Sequence, residues 1–254
     1  MNFNEILTKI EDFSQQKNIQ NKEITKLFNW INKEISGEQE LSENESKRLI
    51  ETTFTFLKKQ HEELEENIEI IHLVETISFP SHLEFYYNKL IKLNTTKSSI
   101  NGIILLVRYL NISENKIFFN VTELLKNISE NENNSNKSRH LANEYYQTLI
   151  TSLKNYISNE ILLLSFKKII IRKTCKKFKA TPEKTRILYS EVKSELKKTI
   201  IQRALVYLLI GSIFLGVGLA GVLSNKEILL IGMLLIGSGS IITSLSYLKL
   251  LITK

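Results

Sequence analysis

The 254-residue chain has only two prolines and nine glycines, too few for the turns of a β-sandwich or barrel. Its single cysteine, Cys175, excludes an internal disulfide framework and a cysteine-rich metal site. The net charge of +7 is uneven, at −5 over residues 1–166, +10 over 167–203 and +2 over 204–254, so the basic character belongs to one block and does not mark a nucleic-acid binder.

Met1-Asn2-Phe3-Asn4-Glu5 leads straight into an amphipathic segment, so no signal peptide is expected. Phe3, Ile6, Leu7, Ile10 and Phe13 recur at helical spacing, as do Ile24, Leu27, Phe28 and Ile31, with Gly37 as a stop. Ser42-Glu43-Asn44-Glu45 has the spacing of a capping box and opens a long helix expected to reach Ile77. Ser78-Phe79-Pro80 ends it, and Ser81-His82-Leu83-Glu84 opens the next with the same spacing, closed by Asn94-Thr95-Thr96. Further helices are expected over 98–109 and, capped by Ser113, over 114–127.

Residues 129–138, SENENNSNKS, read as a polar low-complexity loop. A helix is expected from Arg139 toward Lys179, with a break near Ser158-Asn159. Thr181-Pro182 pairs an N-cap with proline at the first helical position, and the helix begun there is expected to run into the apolar C-terminus.

Ala204–Leu223 and Ile228–Leu248 hold no charged residue over 20 and 21 positions. At about 1.5 Å per residue each reaches roughly 30 Å, the thickness of a bilayer's hydrocarbon core. Ser224-Asn225-Lys226-Glu227 between them is long enough to reverse two helices and too short to cross a membrane. Basic residues crowd before the first span and after the second, which by the positive-inside rule predicts both termini in the cytoplasm. Tyr207 and Tyr247 lie near the cytoplasmic ends, where interfacial aromatics belong.

Lipid gives helices no hydrophobic reason to pair, so close approach through small residues has to supply it. Ser212, Gly216 and Ala220 repeat at four-residue spacing on the first span; Gly239, Ser240, Thr243 and Ser244 form small faces on the second. These faces pack the spans against each other, or remain for other copies of the chain, or line an assembled pore. Neither span carries an ionisable residue, which argues against a pump.

The basic block supplies candidate contacts to anionic lipid headgroups: Lys167, Lys168, Arg172, Lys173, Lys176 and Lys177, then Lys197, Lys198 and Arg203. Its aromatics, Phe166, Phe178 and Tyr189, are not interleaved as a base-stacking platform would require. Cys175, between Lys173 and Lys176, reads as an incidental thiol; a reactive or lipidated one is the alternative.

Glu69-Ile70-Ile71-His72 has the Glu-x-x-His spacing of di-iron bundles, and His61, Glu65, Glu69 and His72 would share one helical face. No second copy exists, so HEELEENIE reads as a solvated acidic stripe. The chain has no Walker A, GxGxxG, GxSxG or HExxH motif, and neither a cofactor nor catalysis is expected. No stretch carries a family's motif. The layout alone, a helical domain ahead of a two-helix hairpin, is similar to that of prokaryotic membrane effectors of antiviral defence.

The expected fold is all-α. An acidic helical cytoplasmic domain occupies 1–135, a long helix and basic juxtamembrane stalk 136–203, a transmembrane hairpin 204–248, and a cytoplasmic tail 249–254. Two functions follow. One is a non-enzymatic membrane-anchored sensor or adaptor of the cell (inner) membrane, a homo-oligomer through its hairpin that binds a protein partner through the acidic domain. The other is a membrane-permeabilising effector triggered by oligomerisation.

Overall fold

The computed structural model describes residues 3–16, 19–38, 41–59, 65–77, 83–96, 98–112, 118–223 and 228–252. Among them are twelve helices and no strand. In chain order these are α1 (Phe3–Gln15), α2 (Asn21–Glu38), α3 (Glu43–Lys59), α4 (Ile68–Ile77), α5 (Leu83–Thr96), α6 (Ile100–Ile112), α7 (Phe118–Glu130), α8 (Asn136–Leu162), α9 (Lys167–Phe178), α10 (Pro182–Glu195), α11 (Lys197–Leu223) and α12 (Ile228–Ile252). The chain divides into two compact units, Met1–Ile150 and Thr151–Lys254.

The first unit is a helical bundle in which α1 and α5 pack on α3, α2 on α4, and α6 on α4, α5 and α7. Of the apolar positions read at helical spacing, Ile6 and Ile10 of α1 and Phe28 and Ile31 of α2 are fully buried in its core and Phe3 and Phe13 only half-buried, while Leu49, Phe56 and Leu57 of α3 complete that core. Phe28 meets Phe56 with ring centroids 5.4 Å apart, and Tyr109 stacks on Tyr87 at 5.5 Å while meeting Tyr86 edge-on at 5.2 Å. Such tilted and offset pairs suit the aromatic quadrupole. At the start of α3 the capping box forms: the Ser42 backbone N–H and hydroxyl both donate to Glu45 Oε2, at 2.9 and 2.6 Å, and the Glu45 N–H donates back to Ser42 Oγ at 3.4 Å.

Three boundaries differ from the sequence reading. The helix opened by Ser42 stops at Lys59, and α4 starts anew at Ile68. Asn67 makes that second start, its Oδ1 accepting the N–H groups of Glu69 and Ile70 at 3.2 and 3.3 Å, the work of an N-cap. Half of the low-complexity stretch is helical, leaving only 131–135 between α7 and α8. Asn134 fixes this short turn by accepting from Ser98 N at 2.9 Å and donating to Ile128 O at 3.1 Å. The break expected near Ser158 falls instead at 163–166, where Leu164 adopts a left-handed conformation, φ 59°. The caps read at Ser81 and Ser113 and the turn read at 224–227 lie outside the described residues.

In the second unit the end of α8, with α9 and α10, forms a small helical cluster around Leu153, Ile157, Ile161, Ile170, Phe178, Tyr189 and Val192, all buried. Thr181 caps α10 as read, its Oγ1 accepting from Lys184 N at 3.3 Å with Pro182 next. Only Leu196 separates α10 from α11, and its backbone stays in the right-handed helical region. The α10 helix therefore runs almost without interruption into α11, which pairs along its length with α12.

Candidate functional site

The α11–α12 pair is the feature of this protein with the clearest physical demand. Lys197–Ala220 and Ile231–Ile252 are 24- and 22-residue segments of mean hydropathy 2.0 and 1.6, long and apolar enough to cross a membrane. Only 17% of each is buried, whereas the core helix of a water-soluble bundle would be mostly covered. Leu205, Leu209, Ile213 and Leu219 of α11 and Leu235, Ile242 and Leu245 of α12 are exposed. Each forgoes about 1.5–3 kcal/mol relative to burial, a sum comparable to the whole 5–15 kcal/mol that holds an ordinary domain folded. This surface calls for apolar surroundings.

Small residues let the two helices touch backbone to backbone. A Cβ at Gly211 would lie 2.7 Å from the Ile241 side chain and 3.0 Å from Gly237 O. One at Gly237 would lie 2.7 Å from Leu215 N, and one at Gly218 2.8 Å from the Leu234 side chain. Ser244, fully buried, donates from Oγ to Ala204 O at 2.7 Å and ties α12 to the start of α11. Ala204, Gly211 and Gly218 recur every seven residues, as do Gly237 and Ser244. Seven is the period of a left-handed helix pair, and it is the signal that a four-residue reading of the small residues passes over.

The structure thus sorts the residues singled out from sequence. Ser244 lies inside the pair. Ser212, Gly216, Ala220 and Gly239 lie on its outside, and a Cβ at Gly216 or Gly239 would meet nothing within 4 Å. Ser240 and Thr243 are half-buried at its edge. The outward hydroxyls are satisfied by their own helices: Ser212 Oγ donates to Leu208 O at 2.8 Å, Thr243 Oγ1 to Gly239 O at 2.9 Å and Ser246 Oγ to Ile242 O at 2.9 Å.

Tyr207 and Tyr247 stack at 5.8 Å near one end of the pair. Tyr247 Oη donates to Leu162 O at 2.7 Å and lies 3.5 Å from Arg203 Nη1, so the loop after α8 is held at the level of these aromatics. From that loop Leu163 and Phe166 project at 74% and 75% exposure.

Residues 151–254 carry 17 basic and five acidic side chains, all but Lys226 and Glu227 outside the segment that connects the two helices. Lys168, Arg172, Lys176 and Lys177 of α9 and Lys197, Lys198 and Arg203 of α11 are exposed, and Lys167 is half-buried. Lys173 is committed internally, donating to both oxygens of Glu160 at 3.0 and 2.8 Å. That bond, with one from Ser165, holds the Glu160 carboxyl below its usual range against the cost of partial burial. Lys154 takes Glu195 at 2.7 Å and Glu191 at 3.8 Å. Three of the five carboxylates are therefore engaged by two lysines, and the remaining cations dominate the surface. Cys175 is half-buried, its Sγ 3.4 Å from Thr185 Oγ1.

Glu69 and His72 both lie on α4, but Glu65 does not share that helix. Glu65 precedes α4 and pairs with Lys137 at 3.1 Å, while Glu69 Oε2 accepts from Asn32 Nδ2 at 3.0 Å. His61 lies outside the described residues. No group of three or more His, Cys, Asp or Glu among the described residues is arranged to hold a metal ion.

Comparison with protein-family models, curated proteins and solved structures returns no match.

Proposed function

We propose that this is a two-pass integral membrane protein that works without catalysis as a membrane-anchored sensor or adaptor. The observation that carries the reading is the α11–α12 pair, in whose apolar segments only 17% of the residues are buried and whose interior is closed by glycines. The concentration of cations at one end supports a cytoplasmic location for that end, and hence for both termini, in the cell (inner) membrane. The first unit, with 17 basic and 22 acidic residues, stands in electrostatic contrast and is the part available to a protein partner.

The outward stripe Ser212–Gly216–Ala220 supports self-association, since small residues allow a second hairpin to approach within backbone contact. A pore-forming effector is the second reading, favoured by the same outward Ser, Gly and Thr residues. Against it, the hydroxyls of Ser212 and Thr243 already donate to their own helices' carbonyls, which leaves fewer O–H donors for an anion.

Cross-linking in detergent tests the self-association. Gly216→Leu fills an open position and is expected to reduce the cross-linked oligomer about tenfold while the single hairpin stays folded. Unchanged oligomers would remove the hairpin from self-association. Depolarisation of cells expressing the wild-type chain would replace the adaptor reading with the effector one.

A further inference from the structure

The turn between α8 and α9, residues 163–166, is built from side chains that a turn facing water would not use. Its backbone closes α8 with the paired bonds of a Schellman motif: Leu164 N donates to Ile161 O at 3.0 Å and Ser165 N to Glu160 O at 3.1 Å, with Leu164 at φ 59°. Glycine suits that left-handed position because a Cβ is strained there, yet the chain has leucine. Phe166 then occupies the N-cap of α9 and makes no side-chain cap hydrogen bond, where Ser, Thr, Asp or Asn would satisfy an orphan N–H. Among the described residues outside α11 and α12, Leu163 and Phe166 are the most exposed large apolar side chains, at 74% and 75%, ahead of Ile187 at 57% and Ile68 at 54%.

The position of this turn accounts for the choice. Leu162 O is one of the carbonyls at the end of α8 that lack an intrahelical partner, and Tyr247 Oη of α12 donates to it at 2.7 Å. Leu248, the next residue, is the last of the uncharged stretch, and Lys249 follows it. The Arg203 guanidinium, 3.5 Å from the Tyr247 hydroxyl, immediately precedes the other uncharged stretch. The turn therefore meets α12 at the level where both apolar stretches begin to carry charge. In a bilayer that level is the boundary between hydrocarbon and headgroups. The turn is also braced from below. Ser165 Oγ donates to Glu160 Oε2 at 2.9 Å, and Lys173 Nζ donates to both oxygens of the same carboxylate. The backbone that carries Leu163 and Phe166 is thus fixed to α8, α9 and α12.

We propose that Leu163 and Phe166 insert into the leaflet at the basic end of the hairpin, which makes the α8–α9 turn a third, peripheral attachment of the second unit to the bilayer. Two observations select lipid over a second copy of the chain as what covers them. Through the Tyr247–Leu162 bond the turn continues the uncovered apolar surface of α11 and α12, so whatever surrounds those helices reaches it. Lys167 and Lys168 directly follow Phe166, and Lys168 and Arg172 are exposed. An apolar tip with a basic flank suits an anionic interface, whereas two such turns placed face to face would set like charges together. The proposal rests on the hairpin being in the membrane and adds a contact outside it, one that fixes the end of α8 and the start of α9 at the membrane surface.

Fluorescence of the full chain with Cys175→Ser and one nitrobenzoxadiazole-labelled cysteine tests it, in vesicles of phosphatidylcholine and phosphatidylglycerol. The reference label is at Glu183→Cys, which the 14 residues of α10 set about 20 Å back from α11. A label at Phe166→Cys is expected to emit to the blue of that reference. It should also be quenched by a nitroxide near the lipid headgroup more than by one at the acyl-chain end, as an insertion of about 5–10 Å requires. A label at Leu163→Cys, which keeps Phe166, should behave alike. A label at Ser212→Cys, outward on α11, reports the hairpin separately and should be quenched by the deeper nitroxide. Labels at 163 and 166 as red and unquenched as the reference, beside a quenched Ser212→Cys label, would overturn the inserted turn and leave the hairpin in place. Labels there shielded from aqueous iodide yet quenched by neither nitroxide would assign the turn to a contact between copies and overturn it too. A Ser212→Cys label quenched by neither nitroxide would overturn the hairpin reading as well.

Discussion

Gly237→Leu is expected to unpack the hairpin, while Gly239→Leu, two residues along the same helix, is expected to leave it folded. At Gly237 even a Cβ would sit 2.7 Å from Leu215 N and 3.0 Å from Gly211 O. These are backbone atoms of α11, so no side-chain rotation relieves the clash and the helices have to separate. Separation also withdraws Gly211 from α12 and strains the Ser244–Ala204 hydrogen bond. Overpacking in a close-packed site costs about 1–3 kcal/mol, and contact with backbone puts this one at about 3 kcal/mol. At Gly239 the added side chain projects from the pair into open space. Unfolding of the two variants by titration with a denaturing detergent, followed by circular dichroism, checks the contrast. Equal midpoints would mean that the seven-residue glycine face is not what joins α11 to α12.

The first unit has its own weak point at Asn101. Its side chain is fully buried and serves two backbone groups of the segment entering α4, accepting from Asn67 N at 2.8 Å and donating to Glu65 O at 3.0 Å. Asn67 in turn caps α4 and donates to Thr25 Oγ1 on α2 at 3.0 Å. One amide therefore closes a chain of hydrogen bonds joining α2, α4 and α6. Asn101→Leu keeps the volume but strands a buried N–H and a C=O, each costing about 1–3 kcal/mol. The expected loss is about 2–5 kcal/mol in chemical denaturation of the full chain, read at Trp30 in α2. Asn101→Asp, which retains the acceptor, should lose less. A leucine variant as stable as the wild type would show that the amide is incidental.

These two sites mark where the sequence was readable and where it was not. Helical periodicity at Ile6, Ile10, Phe28 and Ile31, the Ser42–Glu45 box and Thr181-Pro182 are local signals, decided within a few residues, and each is present in the fold. The two apolar spans were legible because composition alone specifies them. Asn67, Asn94, Asn101 and Asn134 were not, since in an asparagine-rich chain nothing local separates a solvated amide from a buried one. Their roles come from partners about 34–36 residues away in three of these bonds, Asn67 to Asn101, Asn101 to Glu65 and Asn134 to Ser98. The acidic run HEELEENIE looked like uninterrupted helix because glutamate favours helix; the cap at Asn67, held by Asn101, restarts it.

The account stands on α11 and α12 crossing a bilayer with their connection on the far side from the basic end. Its most direct test is a Cys175→Ser chain carrying Asn225→Cys, treated with a membrane-impermeant maleimide on intact cells and on inside-out vesicles. Labelling on intact cells alone is the predicted result. Labelling on inside-out vesicles alone, or recovery of the chain in the soluble fraction after an alkaline carbonate wash, would contradict it.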